Sequence, residues 1–278
     1  MKIFNTRSSL QQYLSQKRSE GNTTGLVPTM GALHKGHISL LAEAKKYADV
    51  IVCSIFVNPT QFNDPKDLEK YPRPIEHDIE MLINAGCDVL FNPTVDEMYQ
   101  PGETWHLDIG PLESMLEGKF RPGHYQGVTQ VVFKLFDIIK PDFAFFGQKD
   151  YQQVKVITRM VDMLHMPLKM IMCPIVREPE GLAMSSRNVH LSTNERANSI
   201  LLSATLYNVK HQFGKLTIDE LKQLAVKELT SNPNIQLDYF EIADADTLVP
   251  AKADTQHMVA LVAAKVGNVR LIDNIILN

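Results

Sequence analysis

Short, unbroken apolar runs alternate along this chain with longer stretches in which apolar residues recur every three or four positions. The runs predict strands over 25–28, 50–57, 88–91, 143–146 and 168–173, because continuous Val, Ile, Leu and Phe suit strands buried on both faces. The periodic stretches predict helices from about 34 to 48, and over 75–85, 128–139 and 151–164, since such spacing gives a helix one apolar face. Alternation of this kind builds a parallel sheet covered by helices on both sides. Such sheets bind ligands outside the carboxyl ends of their strands, where the strand order reverses. Near residue 175 the pattern changes to a loop, two polar helices over 193–213 and 218–230, and three strand-like runs around 237–242, 258–263 and 269–276. The expected fold is α/β: a Rossmann-like, doubly wound parallel sheet over 1–175, with a second, smaller α+β domain over 176–278.

Composition narrows the function classes. At 278 residues and 44% hydrophobic content, the chain is long enough for about two domains of roughly 150 residues each. A net charge of −4 argues against a nucleic-acid surface, which needs a basic balance or cluster. Cys53, Cys87 and Cys173 are isolated and odd in number, which fits small buried hydrophobes in a reducing compartment. The longest apolar stretch falls far short of the ~20 residues that span a bilayer, and the first residues lack a leader's apolar core. A cytoplasmic protein with neither nucleic-acid nor membrane partners is expected.

Two segments about 150 residues apart concentrate the chemistry: Met30-Gly31-Ala32-Leu33-His34-Lys35-Gly36-His37 and Met184-Ser185-Ser186-Arg187-Asn188. The first reads as a turn from a strand into a helix that starts at or just after His34. Helix N-termini attract anions, because their first N–H groups have no internal partner and the peptide dipoles sum to a partial positive charge. Two imidazoles three residues apart share one face of that first turn. The second segment offers two hydroxyls and a guanidinium, which suit phosphate oxygens. Neither GxxxxGK[ST] nor GxGxxG occurs, so the phosphate site is of another kind.

His34-Lys35-Gly36-His37 resembles the HxGH signature of the nucleotidylyltransferase superfamily, with Met184-Ser185-Ser186-Arg187 in the place of its later phosphate clamp. Further blocks narrow the match: Phe56-Val57-Asn58-Pro59-Thr60-Gln61-Phe62, Tyr71-Pro72-Arg73, Phe146-Gly147-Gln148-Lys149-Asp150-Tyr151-Gln152-Gln153, and Arg177 through Asn188. Together they resemble the pantothenate synthetase family, from about Leu26 to Asn274. Two departures stand out. Glu180 occupies a position where Asp is commoner, and Lys265 one where Arg is expected.

The resemblance implies an ATP-dependent ligase that joins (R)-pantoate to β-alanine through a pantoyl adenylate and works as a homodimer. It places ATP against Met30, Gly31, Ala32, Leu33, His34, Lys35, Gly36 and His37, against Gly147, Gln148, Lys149 and Asp150, and against Val176, Met184, Ser185, Ser186 and Arg187. It puts Gln61 and Gln153 at pantoate, Gln61 also at β-alanine, and makes His37 a proton donor. His34, His37, Lys149 and Arg187 suit the catalytic task, because adenylation builds negative charge on phosphate oxygens and on departing pyrophosphate. No metal cage is legible. Mg²⁺ is expected to arrive with ATP, with Asp78, Asp88 and Asp150 as carboxylates able to hold it through water. Arg121-Pro122-Gly123-His124-Tyr125 suits a closing loop and a structural turn equally well. His77, His106, His165, His190, His211 and His257 show no ligand spacing and read as structural. Residue chemistry without the resemblance supports only nucleotidyl transfer from ATP, leaving another HxGH transferase or a nucleotide-sensing module open.

Overall fold

A computed structural model describes residues 1–62 and 65–278. In chain order the elements are β1 (Lys2–Phe4), α1 (Arg7–Ser19), β2 (Thr24–Thr29), α2 (Lys35–Ala44), β3 (Val50–Ile55), α3 (Pro65–Lys70), α4 (Ile75–Asn84), β4 (Val89–Phe91), α5 (Val95–Met98), α6 (Glu117–Phe120), α7 (His124–Ile139), β5 (Phe143–Gly147), α8 (Tyr151–Met163) and β6 (Lys169–Cys173). There follow α9 (Thr193–Gln212), α10 (Ile218–Thr230), β7 (Ile235–Asp244), β8 (Met258–Val266) and β9 (Val269–Ile276). The chain divides into two compact units, Met1–Gly147 with Val156–Pro174, and Gln148–Lys155 with Ile175–Asn278.

The first unit is built on a six-stranded sheet in the order β1-β4-β3-β2-β5-β6, with every pairing parallel. All of β3 is buried, as its unbroken Val-Ile-Val-Cys-Ser-Ile run requires. Val27, Leu40, Leu41, Ile51, Leu82, Leu90 and Phe145 pack into one core between the sheet and α2 and α4. Neighbouring strands β2 and β5 mark the reversal: the chain leaves β2 toward β3 on one side and leaves β5 toward β6 on the other. Two of the segments expected to meet ATP, 30–37 and 147–150, lie at the carboxyl ends of these two strands, the position the doubly wound topology reserves for ligands.

The second unit carries an antiparallel sheet in the order β7-β8-β9, with a bulge between Leu237 and Tyr239. Its core joins Leu202, Leu206 and Val209 of α9, Leu221 and Leu229 of α10, and Phe240, Ile242, Ala260 and Val262 of the sheet. Both helices open with a reciprocal cap, Ser192 with Glu195 and Thr217 with Glu220, which satisfies amides the first turn leaves unpaired. The α/β architecture expected from the hydrophobic pattern is present.

Some details differ from the expectation, among them the short helices α3, α5 and α6, which the pattern does not reveal, and the end of α2 at Ala44 rather than near 48. The pattern did not reveal β1 or α1; α1 buries only Leu10 and Leu14 among thirteen mostly polar residues, too few to show a periodic face. Helix α7 starts at His124, four residues before the apolar run, because Gly123 at φ +76° turns the chain and His124 and Tyr125 are themselves buried. Strand β3 stops at Ile55, short of 57. All three cysteines are buried thiols. Among the described residues, no helix is long and apolar enough to cross a membrane.

Candidate active site

Beyond β2 the chain makes a turn that only certain residues tolerate. Gly31 has φ +80°, and a Cβ there would lie 2.9 Å from Asp78 Oδ2 and 3.0 Å from the Ile55 methyl. Ala32 follows at φ +49°, a conformation that costs an L-residue roughly 1–2 kcal/mol. Asp78, in the first turn of α4, holds it there: Ala32 N donates to Oδ2 at 2.8 Å and Leu33 N to Oδ1 at 2.7 Å. The carboxylate is 1% exposed, and burial raises its pKa while the two backbone donors pull it down.

His34 is the N-cap of α2, with an extended backbone at φ −144°. Its Nδ1 accepts from Gly36 N at 3.1 Å, and its own N–H donates to His37 Nδ1 at 3.3 Å. The two rings lie 4.0 Å apart between centroids and are tilted by 30°. Because both Nδ1 atoms accept, each neutral ring carries its proton on Nε2. The turn thus presents two imidazole N–H donors beside the positive end of a helix, an arrangement suited to phosphate oxygens.

The same unit carries Gln61, which is 8% exposed. Its amide nitrogen lies 3.0 Å from Met30 Sδ, and its oxygen accepts from Asn58 Nδ2 at 3.1 Å. Asn58 is fully buried and also donates to Gly127 O at 3.1 Å, while Tyr99 donates its hydroxyl to Asn58 Oδ1 at 2.6 Å. His124 Nδ1 lies 2.8 Å from Gln61 O. Burial raises the Tyr99 pKa to about 12, which keeps that phenol protonated as a donor.

In the second unit, Gln148, Lys149 and Asp150 form a tight turn between β5 and α8. Lys149 Nζ stands 3.8 Å from Asp150 Oδ1, a loose pairing. Gln153 is half-buried in the first turn of α8. Residues 176–184 form a hairpin: Met184 N donates to Val176 O at 3.0 Å, Arg177 pairs with Ala183, and Gly181 turns the tip at φ +101°. Ser185 then caps a single turn over Ser186–His190, accepting from Arg187 N at 3.3 Å, and Asn188 donates to Ala183 O at 3.1 Å. Glu180 pairs with Arg196 at 3.0 Å, and Lys265 is exposed on β8, so neither departure touches these phosphate-suited groups.

Two of the carboxylates expected near magnesium have other work. Asp78 is taken by the Ala32 and Leu33 amides, and Asp88 Oδ2 accepts from Ile51 N at 2.8 Å, tying β3 to the approach to β4. Asp150 has a substantially exposed side chain and only the loose Lys149 pairing. Among the described residues, no group of three His, Cys, Asp or Glu side chains is placed to hold a metal.

A parallel α/β sheet with an HxGH turn at its switch-point strand has the layout of a nucleotide-binding protein, with a helix N-terminus and paired imidazoles suited to phosphates. The chain belongs to the pantoate-beta-alanine ligase family, which it matches over residues 2–276. It is 47% identical over 277 residues to a pantothenate synthetase of Porphyromonas gingivalis, covering 99% of both chains. Among solved structures, the pantothenate synthetase of Thermus thermophilus superposes with a TM-score of 0.94 at 39% identity, covering 100% of this chain and 99% of that one. The pantoate-beta-alanine ligase of Francisella tularensis, solved with beta-gamma ATP and beta-alanine, superposes at 0.80 with 36% identity, covering 100% of this chain and 98% of that one.

Asp78, Asn58, Tyr99 and His124 brace the loops of this unit through buried hydrogen bonds; of these, the sequence suggests only a magnesium role for Asp78 and a closing or structural turn for His124. Asn58 and His124 lay inside blocks already noted, yet no periodicity marks which polar residue of a loop is buried. Tyr99 is 41 residues from Asn58 and carried no signal at all.

Proposed function

We propose that this protein condenses (R)-pantoate with β-alanine at the expense of ATP, forming pantothenate, AMP and pyrophosphate through a pantoyl adenylate. The observation that carries this reading is the paired-imidazole turn at the N-terminus of α2, in a chain of the pantoate-beta-alanine ligase family. A carboxylate oxygen of pantoate attacks the α-phosphorus of ATP, and the bond from that phosphorus to pyrophosphate breaks. The β-alanine amine then attacks the acyl carbon; the acyl–oxygen bond to AMP breaks and the amine gives up a proton.

Charge therefore builds on phosphate oxygens in both halves of the reaction, and catalysis is chiefly positioning and donor placement. In this reading the turn from Met30 to His37 binds ATP, with His34 and His37 donating from Nε2 and His37 protonating the leaving group. Gly147, Gln148, Lys149, Asp150, Val176, Met184, Ser185, Ser186 and Arg187 also meet ATP, with Lys149 and Arg187 as its cationic partners. Gln61 and Gln153 hold pantoate through neutral amides that bind hydroxyls and a carboxylate without an ion pair that would blunt the attacking oxygen. Gln61 also faces β-alanine. The first unit is the nucleotide- and pantoate-binding domain, and the second carries the phosphate loop.

Among the described residues the carboxylates do not form a cage for Mg²⁺; the ion enters with the triphosphate, and Asp150 is a carboxylate available to it through water. When bound, it neutralises charge on the phosphates. Three buried thiols fit a cytoplasmic enzyme, and the family resemblance supports a homodimer.

Isotope exchange tests the reading. Labelled pyrophosphate is expected to exchange into ATP with pantoate present and β-alanine absent, and free AMP to appear only when both are supplied. Exchange that requires all three substrates would replace the adenylate by a concerted path. Exchange supported by another carboxylic acid but not by pantoate would overturn the substrate.

A further inference from the structure

Strand β9 carries two adjacent buried polar residues that face both phosphate-suited segments of the second unit. Asn274 is 2% exposed and Asp273 4% exposed. The Asn274 side chain uses its donors and its acceptor on one turn: Nδ2 donates to Gln148 O at 2.9 Å and to Lys149 O at 3.0 Å, and Oδ1 accepts from Gln148 Nε2 at 3.1 Å. Asp273 receives the Arg177 guanidinium in a fork, Nη1 at 2.6 Å and Nη2 at 3.0 Å, and accepts from Asn274 N at 2.7 Å. Arg177 in turn opens the 176–184 hairpin and donates from Nη1 to Gly181 O at 3.1 Å. Two segments far apart in sequence are thereby referred to one strand, whose backbone is itself locked by pairing of Asp273 with Val262 and Asn274 with Leu261.

We propose that Asp273 and Asn274 are the positioning pair of the phosphate-binding machinery: Asn274 sets the Lys149 turn, and Asp273, acting through Arg177, sets the hairpin that delivers residues 184–187. The inference rests on the reading of Lys149 and Arg187 as phosphate partners. Its physical basis is that a donor placed for a developing charge loses its value steeply with displacement, a shift of about 1 Å costing up to roughly 10²-fold in rate. Lysine is a flexible side chain, and fixing both its own carbonyl and that of Gln148 removes the backbone's share of its misplacement. A fully hydrogen-bonded amide on a strand does this better than a loop residue.

A double-mutant cycle separates positioning from mere structural support. Asn274→Ala is expected to lower kcat for AMP formation by about 10²-fold while leaving the KM for β-alanine unchanged. In a Lys149→Ala background, the same change is expected to cost less than about threefold, because there is no longer an ammonium to place. Should Asn274→Ala fail to fold, Asn274→Ser, which keeps one hydroxyl donor, takes its place with the same non-additive pattern at a smaller loss. Losses that multiply, or a folded Asn274 variant that turns over at the wild-type rate beside an impaired Lys149→Ala, would overturn the proposal alone. A Lys149→Ala enzyme at full rate would overturn the reading of Lys149 and the proposal together.

Discussion

At the scale of the residue, the two histidines are made unlike ordinary surface imidazoles by what their Nδ1 atoms do. Each accepts a backbone N–H, which puts the proton of the neutral ring on Nε2 and ties ring orientation to the start of α2. His37→Ala is expected to lower the rate of AMP formation by about 10²–10³-fold, the loss typical of one transition-state donor, with ATP affinity much less affected. Steady-state kinetics beside ATP calorimetry checks this; turnover within about threefold of wild type would leave His37 a capping residue only. Asp78 acts one step further back. Asp78→Asn keeps the shape but sets an NH₂ against the Ala32 or Leu33 amide, and loss of a charged acceptor costs about 2 kcal/mol. Denaturant unfolding measures that cost. The specific activity of the folded fraction is expected to fall as well, since the displaced turn carries His34.

At the scale of the element, local chemistry explains where helices begin. The hydroxyls of Ser192 and Thr217 accept amide protons of α9 and α10 while Glu195 and Glu220 reach back, and the latter carboxylate accepts from Thr217 N and Thr217 Oγ1, both at 2.8 Å. Those bonds lower the Glu220 pKa below its ordinary 4.5, the backbone bond contributing most. The sign follows from linkage: a carboxylate with a lowered folded value adds stability above pH 4.5, and the contribution is lost as pH falls through the folded value. Wild type is therefore expected to melt above Glu220→Gln at neutral pH, with the gap closing in acid. A gap of equal size at both ends would show that the carboxylate's charge plays no part in the cap. These caps, like the strand runs, are legible in sequence because they involve residues three positions apart. α1 was not, since its two buried leucines mean something only once β1 and the sheet lie beneath them.

At the scale of the whole molecule, the order β1-β4-β3-β2-β5-β6 places the ends of β2 and β5 at the reversal of the sheet, and both lead directly into segments whose side chains suit phosphate. Metal dependence belongs to this scale, because no residue cluster among those described is built to retain an ion. Excess chelator is expected to abolish AMP formation while leaving the thermal midpoint unchanged, and added Mg²⁺ to restore activity. A large fall in the midpoint on chelation would point to a structural metal.

Periodicity and local motifs, which depend on residues within a few positions of one another, determined by themselves the α/β architecture, the parallel sheet, the histidine turn at a helix start and the family. Tertiary structure alone decided which polar groups hold those parts in place. Asp78 lies 45 residues from Leu33, Tyr99 41 residues from Asn58, and Asn274 125 residues from Lys149. Nothing in a linear pattern distinguishes a solvated asparagine or aspartate from one buried against a backbone amide. Only the packing of separate strands and helices removes water from these groups, and it is the absence of water that makes their hydrogen-bond partners obligatory.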